Sequence, residues 1–135
     1  MESLSREQLQ RYAELRKSVE EAKGEVVQAV EEYNDALVDL PNIDGVMDEF
    51  NQTIVEFNEF CTEISEEIEE YAAERADENH GWTETAQGVK YSKWEEAWLE
   101  EMGQADSYFL GEVAKDLTAD GLPSTPNLPT SLSAV

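Results

Sequence analysis

Positive charge is what this chain lacks most. Nine Lys and Arg stand against thirty-two Asp and Glu, a formal net charge of −23 over 135 residues. A body of that sign repels DNA, RNA and anionic membrane, so direct contact with nucleic acid or membrane is not expected. Cysteine is nearly absent too. Cys61 stands alone, which excludes an internal disulfide and fits a reducing cytoplasm. Histidine occurs once, at His80. Di-metal centres in helical bundles take a Glu-x-x-His from each of two helices. The chain offers only Asp77-x-x-His80, so neither a metal site nor a cofactor is expected. No apolar run approaches the roughly 18 residues of a membrane span. Met1-Glu2-Ser3 has no basic stretch followed by an apolar one, so no signal peptide is expected and the protein reads as cytoplasmic. There is no glycine-rich phosphate loop and no nucleophile–histidine arrangement. Cys61 falls on an apolar seam, where a small buried thiol is the commoner role. No catalytic residue emerges, and an enzyme is not expected.

What is present is helical periodicity. The apolar fraction is 40%, enough for a core, and at this length one domain is the default. Ser5 with Gln8 has the spacing of a capping box, and Leu4 is placed to pack on Leu9 as a staple. Tyr12, Val19, Val26, Tyr33 and Leu40 then recur every seven residues, as do Leu15, Ala22, Ala29 and Ala36. This alternating 3 and 4 spacing predicts a helix over 5–40, ended by Pro41. A second register holds Ile43, Phe50, Phe57, Ile64 and Tyr71, with Met47, Ile54, Cys61 and Ile68. It predicts a helix over 44–79 with Gly81 as its C-terminal glycine. A short connection makes the two antiparallel neighbours, a long coiled-coil-like hairpin. Alanines on the first helix face bulky groups on the second. Tyr91, Trp94, Trp98, Met102, Ala105 and Phe109 form a third helical stripe, and Ser92 with Glu95 repeats the capping-box spacing. A helix over 92–117 is expected to bury that aromatic face on the hairpin. The fold is thus all-α, a single helical domain over 1–118. Residues 119–135, with Pro123, Pro126 and Pro129, have no helical or strand periodicity and read as a flexible tail.

The charge deficit is local. Residues 1–23 hold five acids and five bases. Residues 24–112 hold twenty-five acids against Arg75, Lys90 and Lys93. Glu63, Glu66, Glu67, Glu69, Glu70, Glu74, Asp77 and Glu78 crowd the end of the second helix, and Glu95, Glu96, Glu100 and Glu101 fall on the third. One reading is a solvated face that keeps the helices soluble. Exposed helices ordinarily mix signs to gain i,i+4 pairs, whereas here like charges sit three and four apart. The other reading is therefore a carboxylate surface selected for its field. B-DNA carries one charge per about 1.7 Å of axis. Rows of carboxylates along a rod of about 50 Å approximate one edge of that array. The expected partner on this reading is a basic protein that handles nucleic acid, and the expected activity is DNA-mimic-like inhibition.

Trp82, Trp94 and Trp98 admit two readings of their own: core of the third helix, or an exposed aromatic interface. A structural or scaffold role is the alternative function, with the heptad seam or the Trp face mediating oligomerisation. Two helices would leave the bulky seam half covered, so a homodimer is expected.

Three stretches carry a resemblance. Glu32-Tyr33-Asn34, Asn58 to Ile64, and Trp82-Thr83-Glu84-Thr85-Ala86-Gln87-Gly88-Val89-Lys90-Tyr91 with Trp94 to Trp98 resemble small acidic helical proteins of phage and mobile-element genomes. The shared pattern is a tryptophan, a Ser/Thr-rich turn, a glycine, and an aromatic helix ending in another tryptophan. It covers about residues 30–100. The resemblance implies an accessory protein of a phage or mobile element, working in the host-cell cytoplasm. It brings no activity and no functional residue with it.

Overall fold

The computed structural model describes residues 2–36, 43–104 and 122–135. The fold is all-α: the described residues form three α-helices and no strand beyond one isolated bridge.

Helix α1 runs Arg6–Ala36. Its start is the capping box expected from the sequence. The Ser5 N–H donates to Gln8 Oε1 at 2.8 Å, and the Gln8 N–H donates to Ser5 Oγ at 3.2 Å. These bonds satisfy two amides that a helix start otherwise leaves without partners. Leu4 is buried, while Leu9, its expected staple partner, is 41% exposed. Tyr12, Leu15, Val19, Ala22 and Val26 are buried as the heptad seam requires. Beyond them Val30 is buried and Ala29 only half-buried. A straight helix has 3.6 residues per turn, so a seven-residue seam drifts by about 20° per heptad, and the larger side chain takes the inward place. The stretch 37–40 and Pro41, where the first helix was expected to end, lie outside the described residues.

Helix α2 runs Ile43–Glu78. Met47, Phe50, Ile54, Phe57, Cys61, Ile64 and Ile68 are buried, joined by Phe60 and Ser65. The Ser65 hydroxyl donates to the Thr62 carbonyl at 2.8 Å, which satisfies its burial. Phe50 and Phe57 are fully buried within the single chain. The seam is therefore not half covered as expected, and its burial does not call for a second copy.

Gly81 is not the glycine that ends α2, which stops at Glu78. Its φ is −87°, and it opens a 3-10 turn, Trp82–Glu84. The Asn79 side chain shapes this turn by accepting from the Gly81 N–H at 3.2 Å, while its carbonyl accepts from the Trp82 N–H at 3.0 Å.

Helix α3 runs Ala86–Leu99, not 92–117. Thr85, not Ser92, caps it. Thr85 Oγ1 accepts from the Gly88 N–H at 3.1 Å and donates to the Trp82 carbonyl. Gly88 is buried against the turn: a Cβ there would lie 2.2 Å from the Trp82 carbonyl oxygen. The helix stops at Leu99, and Glu100 is extended at φ −67° and ψ 123°. Glu95, Glu96, Glu100 and Glu101 crowd the end where the helix dipole is negative, and they oppose further turns. Residues 105–117 of the expected helix, with Ala105 and Phe109, lie outside the described residues.

The chain divides into two compact units, each taking part of α1 and α2. One holds Met1–Tyr12, Asn58–Glu101 and Pro126–Val135. The other holds Ala13–Phe57 and Met102–Thr125. In the latter, Leu122 is buried, Lys23 Nζ bonds Ser124 Oγ at 2.9 Å, and Arg16 Nε donates to Thr125 Oγ1 at 3.4 Å. In the former, Leu128 is buried, Ser3 and Ser131 form the bridge, and the Leu4 N–H donates to the Thr130 carbonyl at 2.9 Å. From Leu122 on, the C-terminal segment packs within these units, where the sequence predicts a flexible tail. It is held largely through main-chain atoms, which leave no helical or strand pattern in residue type.

Candidate functional site

The acidic surface belongs to the unit that holds Asn58–Glu101. On α2, residues 63, 66, 67, 70, 74, 77 and 78 fall within an arc of about 120° at 3.6 residues per turn. The buried Cys61, Ile64 and Ile68 lie outside that arc. Glu63, Glu66, Glu67, Glu70, Glu74, Asp77 and Glu78 are all exposed. Among the described residues, Glu63, Glu66, Glu70, Glu74 and Asp77 have no hydrogen-bond or ion-pair partner. Glu67 accepts from Gln8 Nε2. Glu78 lies 3.8 Å from Arg75, both side chains largely in water. Such a pair contributes little. Arg75 is also held toward α2 by donating to the Tyr71 hydroxyl at 2.8 Å, with its guanidinium 4.9 Å from that ring's centre.

On α3, Glu96 is exposed and Glu95 half-buried. Partial burial raises the Glu95 pKa, with the charges of Glu69 and Glu96 adding to the shift. Two helices therefore bring carboxylates near enough to repel. Glu100 and Glu101 are exposed but lie beyond the end of α3, which departs from their expected place on a helix.

The tryptophans divide differently. Trp94 and Trp98 are fully buried. Both indole N–H groups donate to the Pro129 carbonyl at 2.8 Å. Neither ring is an exposed anchor, so the aromatic-interface reading is corrected for both. Trp82 is half-buried and tilts against Tyr91, their ring centres 5.4 Å apart. Tyr91 also meets Tyr71 at 5.2 Å and Trp94 at 6.1 Å. Burial pushes the Tyr91 hydroxyl up to about 12. A second cluster joins Tyr12, Phe60 and Trp98, with centres 5.3 Å apart for Tyr12–Trp98 and 6.0 Å for Phe60–Trp98. The sequence marked Trp98 but missed Tyr12 and Phe60 as its partners. Tyr12 occupies a heptad position, and Phe60 lies on neither seam.

The Cys61 thiol is buried, and desolvation pushes its pKa up to about 12. At neutral pH it is a protonated core group, not a nucleophile. His80 is exposed at the end of α2. Among the described residues, no group of three or more His, Cys, Asp or Glu is arranged to hold a metal ion. Among them too, no helix is long and apolar enough to cross a membrane. No protein-family model matches the sequence, and comparison with curated proteins and with solved structures finds no match.

Proposed function

We propose that this chain is a non-enzymatic acidic binding protein that engages a basic, nucleic-acid-handling protein through its carboxylate surface and inhibits it as a DNA mimic. The supporting observation is the one face of α2 where Glu63, Glu66, Glu70, Glu74 and Asp77 stand exposed and unpartnered. A face kept only for solubility gains by mixing signs, and this one does not. The like-charge repulsion is what a basic partner relieves. The resemblance to acidic helical proteins of phage and mobile elements fits an accessory protein in a host-cell cytoplasm. An antiparallel hairpin of α1 and α2 is part of the same proposal. It is supported by Gln8 meeting Glu67 and by the Tyr12 ring stacking 6.4 Å from Phe60.

The test is capture of host proteins at low salt followed by competition. A partner on this surface elutes as salt rises and is displaced by duplex DNA. The triple variant Glu66→Lys, Glu70→Lys, Glu74→Lys should abolish capture. Glu67 is kept in it because that side chain also bonds Gln8. Capture that survives the triple reversal refutes the surface. Capture indifferent to DNA refutes the mimicry.

A further inference from the structure

The C-terminal segment meets the body of its unit in a particular way. The Tyr12 hydroxyl donates to the Pro126 carbonyl at 3.1 Å and accepts from the Leu128 N–H at 3.0 Å. Trp94 and Trp98, one helical turn apart, place both indole N–H groups on the Pro129 carbonyl. Phe60 packs on the rings of Tyr12 and Trp98. The inward carbonyls and amide of residues 126–129 are thus met by side chains, not by a strand ladder. The two prolines have no N–H, so no donor of theirs needs a partner in the groove. Leu128 is the buried side chain of the four, whereas Asn127 is exposed. Pro123, Pro126 and Pro129 repeat every three residues, the period of polyproline II. Aromatic-lined grooves select such segments because they are extended before binding and lose little entropy. Nothing the groove reads is peculiar to this tail. It reads two carbonyls, one amide and one leucine.

We propose that Tyr12, Trp94 and Trp98, braced by Phe60, form a recognition groove for extended peptides of the pattern Pro-x-Leu-Pro. Residues 126–129 are its resident ligand, and a partner protein's segment of the same pattern enters by exchange. The groove's contacts use none of the acidic carboxylates, so this inference is tested apart from the mimic reading.

The test uses the full chain and a dye-labelled peptide copying residues 124–132. Leu128→Ala in the chain removes the resident segment's buried side chain and frees the groove more often. The peptide should bind that variant saturably, at least tenfold more tightly than it binds the wild-type chain. Adding Tyr12→Phe keeps the ring, removes the bridging hydroxyl and should weaken binding at least tenfold. A peptide carrying Leu128→Asp should not bind. If the Leu128→Ala chain fails to fold, the wild-type chain still decides. Excess peptide bearing a nitroxide at its end should broaden the indole N–H resonances of Trp94 and Trp98 while the helical signal holds. No saturable binding to a folded Leu128→Ala chain, binding indifferent to Tyr12→Phe, or unbroadened indole resonances overturns the proposal. So does a concentration-dependent dimer that Leu128→Ala dissolves, because the groove would then serve a second copy of this chain.

Discussion

Gly88 and Gly24 are both helical glycines, yet their surroundings predict opposite responses to the same change. A methyl at Gly88 meets the Trp82 carbonyl at 2.2 Å and the Thr83 backbone at 2.9 Å, and backbone does not step aside as a flexible side chain does. Gly24, in the exposed middle of α1, has nothing within 4 Å. Gly88→Ala should destabilise by about 1–3 kcal/mol through overpacking. Gly24→Ala should stabilise by about 0.5–1 kcal/mol through helix propensity. Thermal unfolding of the two variants reads the signs directly. Shifts in the same direction would mean that the turn under α3 is not held this closely. Glu95 makes a case in pH. Its folded pKa is raised from the ordinary 4.5 by burial and by Glu69 and Glu96. Between the two values the folded state binds the proton and the unfolded state does not, so stability is lost as pH rises through that window. The ionised carboxylate at pH 7 therefore weakens the fold. Glu95→Gln should raise the urea midpoint at pH 7, and the gain should fade below the unfolded value, where both forms are neutral.

At the scale of elements, α1 and α3 show why one helix start was legible and the other was not. Both begin with a side-chain oxygen that accepts the N–H of the residue three along. For α1 the fourth residue is Gln8, whose side chain returns the bond, and Ser-x-x-Gln is visible in the sequence. For α3 the fourth residue is Gly88, chosen for its closeness to the Trp82 turn, and a glycine returns nothing. Ser92-x-x-Glu95 displays the pattern inside a helix that has already begun. Thr85→Ala should therefore cost about 1 kcal/mol, whereas Ser92→Ala should be close to neutral or slightly stabilising. A chemical-denaturation comparison separates them. The long heptad helices were legible because burial every third and fourth residue selects side chains. The C-terminal segment was not, because Pro126, Leu128 and Pro129 are held through carbonyls and an amide that every peptide carries. The shared Pro129 carbonyl makes a further prediction. Trp94→Phe or Trp98→Phe alone leaves the other indole on that oxygen, while the double variant leaves neither. The double should lose more stability than the two singles together, by about 0.5–3 kcal/mol in a double-mutant cycle. Strict additivity would mean that the two donors do not share an acceptor in solution.

Over the whole molecule, charge is the property that the sequence displayed most openly and the fold rearranged least. A carboxylate on an exposed helix face is visible as a residue type, and the formal charge of −23 follows from counting. What counting does not show is that Glu63, Glu66, Glu67, Glu70, Glu74, Asp77 and Glu78 concentrate on one arc of α2, away from its buried stripe, and that Glu69 acts on Glu95. Concentration of one sign gives stability a dependence on salt. Raising NaCl from ~0.01 M to ~1 M shortens the screening length from about 30 Å to about 3 Å, which removes most repulsion between exposed charges. The wild-type midpoint should therefore climb with NaCl. The Glu66→Lys, Glu70→Lys, Glu74→Lys variant gives Glu63, Glu67, Asp77 and Glu78 opposite-charge neighbours three and four residues away. It should be more stable than wild type in low salt, with a flatter salt response. That outcome matters for function as well. A variant that folds better and yet loses its partner has lost a binding field, not a structure. A variant less stable than wild type at low salt would instead show that the acidic arc supports the fold, and the proposed surface would have to be abandoned.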